Sequence, residues 1–174
     1  MELPKELLEQ VEEDVKKFHA HKPQCARCNM LRLTERGVPC KCPPEKSMSE
    51  KRIGRLTEAV FAHWRGVDYV RWKPKRYGDA KADYVCPEGH VEVKGLTYTQ
   101  AETFWCPKGA GVNDPPEFDI LVLIDNRKLE PIGWATAADI QQNEKVFSRD
   151  RREFKWKLKL SQRRPMATYP RGIK

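Results

Sequence analysis

The sequence predicts an α/β protein in which a mixed β-sheet is flanked by helices. Three observations carry that reading. Apolar residues recur at helical spacing in two segments before residue 65, and strand-like runs occupy residues 83–86, 90–94 and 153–160. The composition, 39% hydrophobic and 33% charged, suits a folded, polar-surfaced domain rather than a disordered chain. A length of 174 residues is enough for one compact domain with an appendage.

The chain divides into three parts: a helix in residues 1–22, a cysteine-rich loop in 23–46, and a core with a basic C-terminal tail in 47–174. In the first part Leu3, Leu7, Leu8, Val11, Val15 and Phe18 are spaced for one helical face, with Pro4 near the first turn. Glu9, Glu12, Glu13 and Asp14 are expected mostly away from that stripe, and the helix to pack on the body. In the second part Cys25, Cys28, Cys40 and Cys42 bring four thiols within eighteen residues. In a reducing compartment such pairs suit a metal better than disulfides, and four thiolates suit a structural Zn²⁺ that folds a loop too small for its own core. An iron–sulfur cluster is the second occupant this set could hold.

The third part opens with a helix from about Ser49 to Trp64, whose expected buried stripe is Ile53, Leu56, Val60 and Trp64. Glu58 lies beside that stripe, with Glu50 as its substitute nearer the apolar face. Next comes a hairpin. Asp83–Cys86 is one short strand, Pro87-Glu88-Gly89 supplies turn chemistry, and His90–Lys94 returns. With Glu88-Gly89 as a two-residue loop, Asp83 falls opposite Lys94 and Val85 opposite Glu92. Asp83, Glu92 and Lys94 then share one face. Asp is disfavoured in strands, so Asp83 wants a chemical reason, whereas the rival Asp79 sits in a turn, where Asp is at home. Two carboxylates and an ammonium on one face are the equipment for metal-assisted phosphodiester hydrolysis.

At these residues the chain resembles the PD-(D/E)xK, or restriction-endonuclease-like, nuclease superfamily. Asp83 with Glu92-Val93-Lys94 matches its signature, Glu58 is the candidate helical acid, and Ala82 stands where the signature has proline. The resemblance covers roughly residues 50 to 166. It implies a core of helix, three antiparallel strands, helix and a further strand, with Phe118–Asp125 as the fourth core strand and Pro131–Ile140 as the next strand and helix start. It also implies Mg²⁺, or Mn²⁺, held by Asp83, Glu92, the Val93 carbonyl and Glu58, with Lys94 beside the attacking water. The expected activity is endonucleolytic cleavage of DNA; the alternative is an inactive, zinc-containing nucleic-acid-binding protein on the same fold.

Charge agrees with such a substrate. The formal net charge is +8, a field that attracts a polyanion, DNA first and RNA as the alternative. Arg71, Lys73, Lys75 and Arg76 surround Trp72, and Arg163 and Arg164 follow an alternating stretch, residues 153–160, whose polar face is basic. Gln100 is a further candidate for contact with a phosphate or the metal water. A homodimer would serve cutting of two strands. The first residues lack the apolar core of a signal peptide and no apolar run approaches eighteen residues, so a cytoplasmic protein with no membrane span is expected.

Overall fold

The structure, a computed structural model, describes residues 2–20, 48–71, 82–96, 103–107, 115–148 and 153–171. Its centre is a four-stranded mixed sheet in the order β1 (Tyr84–Cys86), β2 (Gly89–Leu96), β4 (Ile120–Asp125), β5 (Glu130–Thr136). β1 and β2 are antiparallel, β2 and β4 parallel, β4 and β5 antiparallel. A second, three-stranded sheet orders β3 (Thr103–Pro107), β7 (Glu153–Lys159) and β6 (Lys145–Ser148). The fold is therefore α/β with a mixed sheet flanked by helices.

β4 is buried at every position because it is covered on both faces, which is why its sequence is an unbroken apolar run closed by Asp125. One face meets α2 (Met48–Arg65), against which α1 (Lys5–Ala20) packs: Val60, Phe61 and Ala62 of α2 lie on Val91, Val93, Val122 and Trp134. The other face packs Leu121, Leu123 and Ala135 against Ile140 of α3 (Ala137–Gln141) and Trp156 and Leu158 of β7. Among the described residues no helix is long and apolar enough to cross a membrane.

Three departures from expectation have local causes. Ile53 is exposed, while Thr57, Ala59, Val60, Phe61 and Ala62 are buried. Thr57 meets Asn126 at the end of β2 and β4, so Ile53, a turn further out, overhangs the sheet. Asp14 is fully buried rather than on the polar side. It lies three residues from Val11 and next to Val15, on the very face the helix buries. Finally, β3 does not extend the main sheet as a third antiparallel strand. β1 offers only three residues of edge, whereas β7 pairs with β3 over five. The cysteine-rich segment, with Cys25, Cys28, Cys40 and Cys42, lies outside the described residues.

The C-terminal segment closes the far edge of the sheet. Trp134 and Arg164 exchange backbone hydrogen bonds of 3.1 and 2.7 Å, so β5 does not present a bare ladder there. Tyr169 then sits edge-on to both Trp64 and Trp134 and is buried. Its hydroxyl donates to Glu88 Oε1 at 2.7 Å, and Arg65 grips the same carboxylate through Nε and Nη2 at 2.9 and 3.0 Å. Helix, hairpin turn and C-terminal tail thus meet on one buried acid.

Candidate functional site

The hairpin turns one residue earlier than the sequence suggested. Cys86 pairs with Gly89 and Tyr84 with Val91, so Pro87-Glu88 is the two-residue loop. Proline's fixed φ suits the first loop position, and the positive φ that glutamate resists falls on Gly89, at 125°. Asp83 therefore comes beside Glu92 rather than Lys94. The pairing has slipped by two residues, an even number, so side-chain parity is kept. Val91 and Val93 face α2, which leaves Glu92 and Lys94 on the opposite face, in line with Leu121 and Leu123.

Asp83 is fixed at the mouth of this hairpin. Its N–H donates to the Val91 carbonyl at 3.1 Å, and its Oδ2 accepts the Val93 N–H at 2.9 Å. The carboxylate thus occupies the place of a ladder acceptor and ties the first strand to the backbone between Glu92 and Lys94. Glu92 is only 7% exposed, and Lys94 is half-buried. A nearly buried carboxylate beside a second acid calls for positive charge close by. Lys94, two positions along on the same face, supplies one such charge.

Glu58 stands apart from this group. Its helix covers the opposite face, and its carboxylate is ion-paired with Arg55 one turn earlier. Arg55 also donates to the buried Asp14 at 2.9 Å and to the Val70 carbonyl, and its guanidinium stacks on Tyr69 at 4.7 Å. Burial works against the Arg55 charge, but Glu58, Tyr69 and Asp14 more than offset it and hold the group above its ordinary pKa. Glu58 does touch the hairpin through its backbone: its carbonyl accepts the Tyr84 hydroxyl at 2.9 Å. The side chain of Glu50 and the whole of Asp79 lie outside the described residues.

Gly95 is needed for close packing behind the site. A Cβ there would overlap Thr57 Oγ1 and Asn126 Nδ2, so the partner admitted by its missing side chain is α2 and the β4–β5 turn. Thr57 and Asn126 are themselves joined by a 2.7 Å hydrogen bond.

The cations assigned to substrate that lie among the described residues are engaged within the fold. Arg71 donates to Asp14 and Glu13, each at 2.8 Å, which binds the segment after α2 to α1. Arg164 donates to Asp139 at 2.8 Å and lies over the Trp134 ring at 4.9 Å. Arg163 donates to the Ile132 and Leu160 carbonyls at 2.9 and 3.1 Å, its stem filling the space above Gly133. All three anchor the fold. Lys73, Lys75, Arg76 and Gln100 lie outside the described residues. What sequence reasoning missed was the partners of these arginines, the buried Asp14 for Arg71, Asp139 for Arg164 and two carbonyls for Arg163; the one available signal was Asp14 falling on the apolar stripe of α1.

The donor set is compatible with a hard divalent cation. Among the described residues no three His, Cys, Asp or Glu side chains cluster as a closed metal cage. Mg²⁺ does not need one: it is held by one or two carboxylates, keeps several waters, and takes phosphate oxygens from substrate. Asp83 and Glu92 provide such a pair. No known protein family, curated protein or solved structure matches this chain.

Proposed function

We propose that the chain is a Mg²⁺-dependent endonuclease that hydrolyses phosphodiester bonds in DNA, with a restriction-endonuclease-like core. The observation that carries this reading is the placing of Asp83, Glu92 and Lys94 on one face at the mouth of the β1–β2 hairpin. Asp83 and Glu92, with the Val93 carbonyl, would hold the cation. Glu58, over the other face and paired with Arg55, is at most an outer partner. When bound, such a cation supplies Lewis-acid neutralisation of phosphate charge and lowers the pKa of a coordinated water from about 15.7 toward neutrality.

The chain's own residues have distinct tasks. The Val93 N–H fixes the rotamer of Asp83, so that this carboxylate is oriented before substrate arrives. Burial of Glu92 excludes water and strengthens every charge interaction near it. Lys94, held on the same strand, would place its ammonium against the attacking water or a non-bridging oxygen, where negative charge grows in the transition state. The net charge of +8 draws the polyanion to the surface.

The test is a cleavage assay on defined linear, branched and single-stranded DNA, with an RNA arm, with and without Mg²⁺. Metal-dependent cleavage that disappears in a folded Glu92→Ala, Lys94→Ala double variant is expected; wild-type-like cutting by that variant would falsify the assignment. The second reading, an inactive zinc-containing nucleic-acid binder, is favoured by the Cys25, Cys28, Cys40 and Cys42 quartet, which has no part in hydrolysis. It predicts binding without cleavage on every substrate.

A further inference from the structure

The β4–β5 turn, residues 126–129, stands at the C-terminal end of the parallel β2–β4 pair, the end toward which Lys94 and Gly95 run. Its backbone is fixed from several sides. The buried Asp125 accepts the N–H groups of Arg127 and Lys128 on Oδ1 at 2.8 and 3.3 Å. Asn126 donates its N–H to the Leu96 carbonyl at 3.0 Å and accepts the Thr57 hydroxyl. Leu129 adopts a left-handed φ of 53°, a conformation that leucine takes only when its surroundings impose it. The result is a rigid turn that presents two exposed cations to solvent.

Arg127 differs from the other described arginines. Arg52 pairs with Glu12, Arg55 and Arg71 with Asp14, Arg65 with Glu88 and Arg164 with Asp139, while Arg163 is bound to carbonyls and Arg171 lies over Trp64. The Arg127 guanidinium meets no carboxylate, carbonyl or ring among the described residues. Lys128 has only a loose, exposed contact with Glu130 at 3.8 Å. An unpaired surface arginine is unremarkable by itself; its position gives it a use. Leu123 is the register partner of Lys94, and two further strand residues lead into the turn, so Arg127 lies on the order of 10 Å from Lys94. That distance puts the turn within reach of the phosphate backbone beside the phosphate at Lys94.

We propose that the Arg127–Lys128 turn binds the phosphate backbone of the nucleic acid beside the phosphate held at Lys94, setting its register without reading bases. The choice of scissile phosphate rests on the nuclease reading; the contact itself does not. The test is binding of a fluorescent DNA duplex to the Arg127→Ala, Lys128→Ala variant, made in a Glu92→Gln background to prevent cutting, between 50 and 200 mM salt. Loss of two phosphate contacts should reduce the slope of log affinity against log salt by about 2, so that the change in affinity across this range shrinks about tenfold. In the cleaving background KM should rise with kcat kept. Arg52→Ala, which removes one positive charge on α2, should leave the slope alone.

An unchanged slope in the turn variant, or a fall as large per charge in Arg52→Ala, overturns the inference whether or not the protein cuts DNA. A reduced slope confined to the turn variant upholds the contact, even if the wild type proves unable to cleave and the catalytic reading is lost.

Discussion

Replacing Glu88 by glutamine should loosen the C-terminal tail from α2 and the hairpin turn. The Glu88 side chain is only 2% exposed and that of Arg65 12%, and they are joined by two parallel hydrogen bonds. Removing one member of a buried pair and leaving the other typically costs about 3–5 kcal/mol. For a chain of this length each kcal/mol moves the melting temperature by about 2–4 °C, so a drop on the order of 10 °C is expected. Tyr169→Phe removes only the 2.7 Å hydroxyl donor and should cost about 1.5–3 kcal/mol, as a hydrogen bond to a charged group does. The two losses should be less than additive, because both act on one carboxylate.

The pH dependence provides a second readout. Burial disfavours the Glu88 carboxylate, but hydrogen bonds from Arg65 and Tyr169 outweigh it, and the group titrates below its ordinary value. A depressed carboxyl contributes stability that is present above its unfolded pKa and is lost as pH falls through the folded one. Thermal melts from pH 7 downward should therefore show a shallower acid decline in Glu88→Gln than in the wild type. A glutamine variant that melts within about 1 °C of wild type, with the same acid limb, would refute the claim that this acid pins the tail.

Other outcomes follow from the same geometry. Asp14→Ala should destabilise by about 3–5 kcal/mol in urea unfolding, because Arg55 and Arg71 lose their shared buried acid. Gly95→Ala should cost about 1–3 kcal/mol, since Thr57 and Asn126 are held by a mutual hydrogen bond and cannot easily retreat. Gly133→Ala should also destabilise in the same assay, because the new Cβ would overlap Arg163 as far back as its own Cβ, beside the Trp134–Arg164 backbone pairing that holds the chain there. Lys94→Met should lower the melting temperature, because it takes a positive neighbour from the nearly buried Glu92, and should lower kcat more than it raises KM, measured on a plasmid substrate at a temperature where the variant is folded.

Much of the architecture was legible from local pattern. The alternation in residues 153–160 marked β7, and Trp156 and Leu158 are buried as that alternation requires. The apolar run before Asp125 marked the central strand. The hairpin illustrates how a sequence reading can miss a detail and keep its conclusion: choosing the wrong loop residues shifted the pairing by two, and parity left Asp83, Glu92 and Lys94 on one face. Long-range pairing was hidden, since no local signal tells β3 to join β7 rather than β1. The fate of the arginines was hidden for the same reason. Whether a guanidinium meets solvent or a buried acid depends on partners distant in sequence, as Arg71 and Asp14 show.

The most direct measurement is Mg²⁺-dependent nicking of supercoiled plasmid by wild type and by Asp83→Asn and Glu92→Gln, with melting temperatures compared alongside. Cutting by the wild type, and none by either amide variant at matched stability, is the predicted result. Equal nicking by all three proteins would remove the two strand carboxylates from the chemistry and with them the central claim.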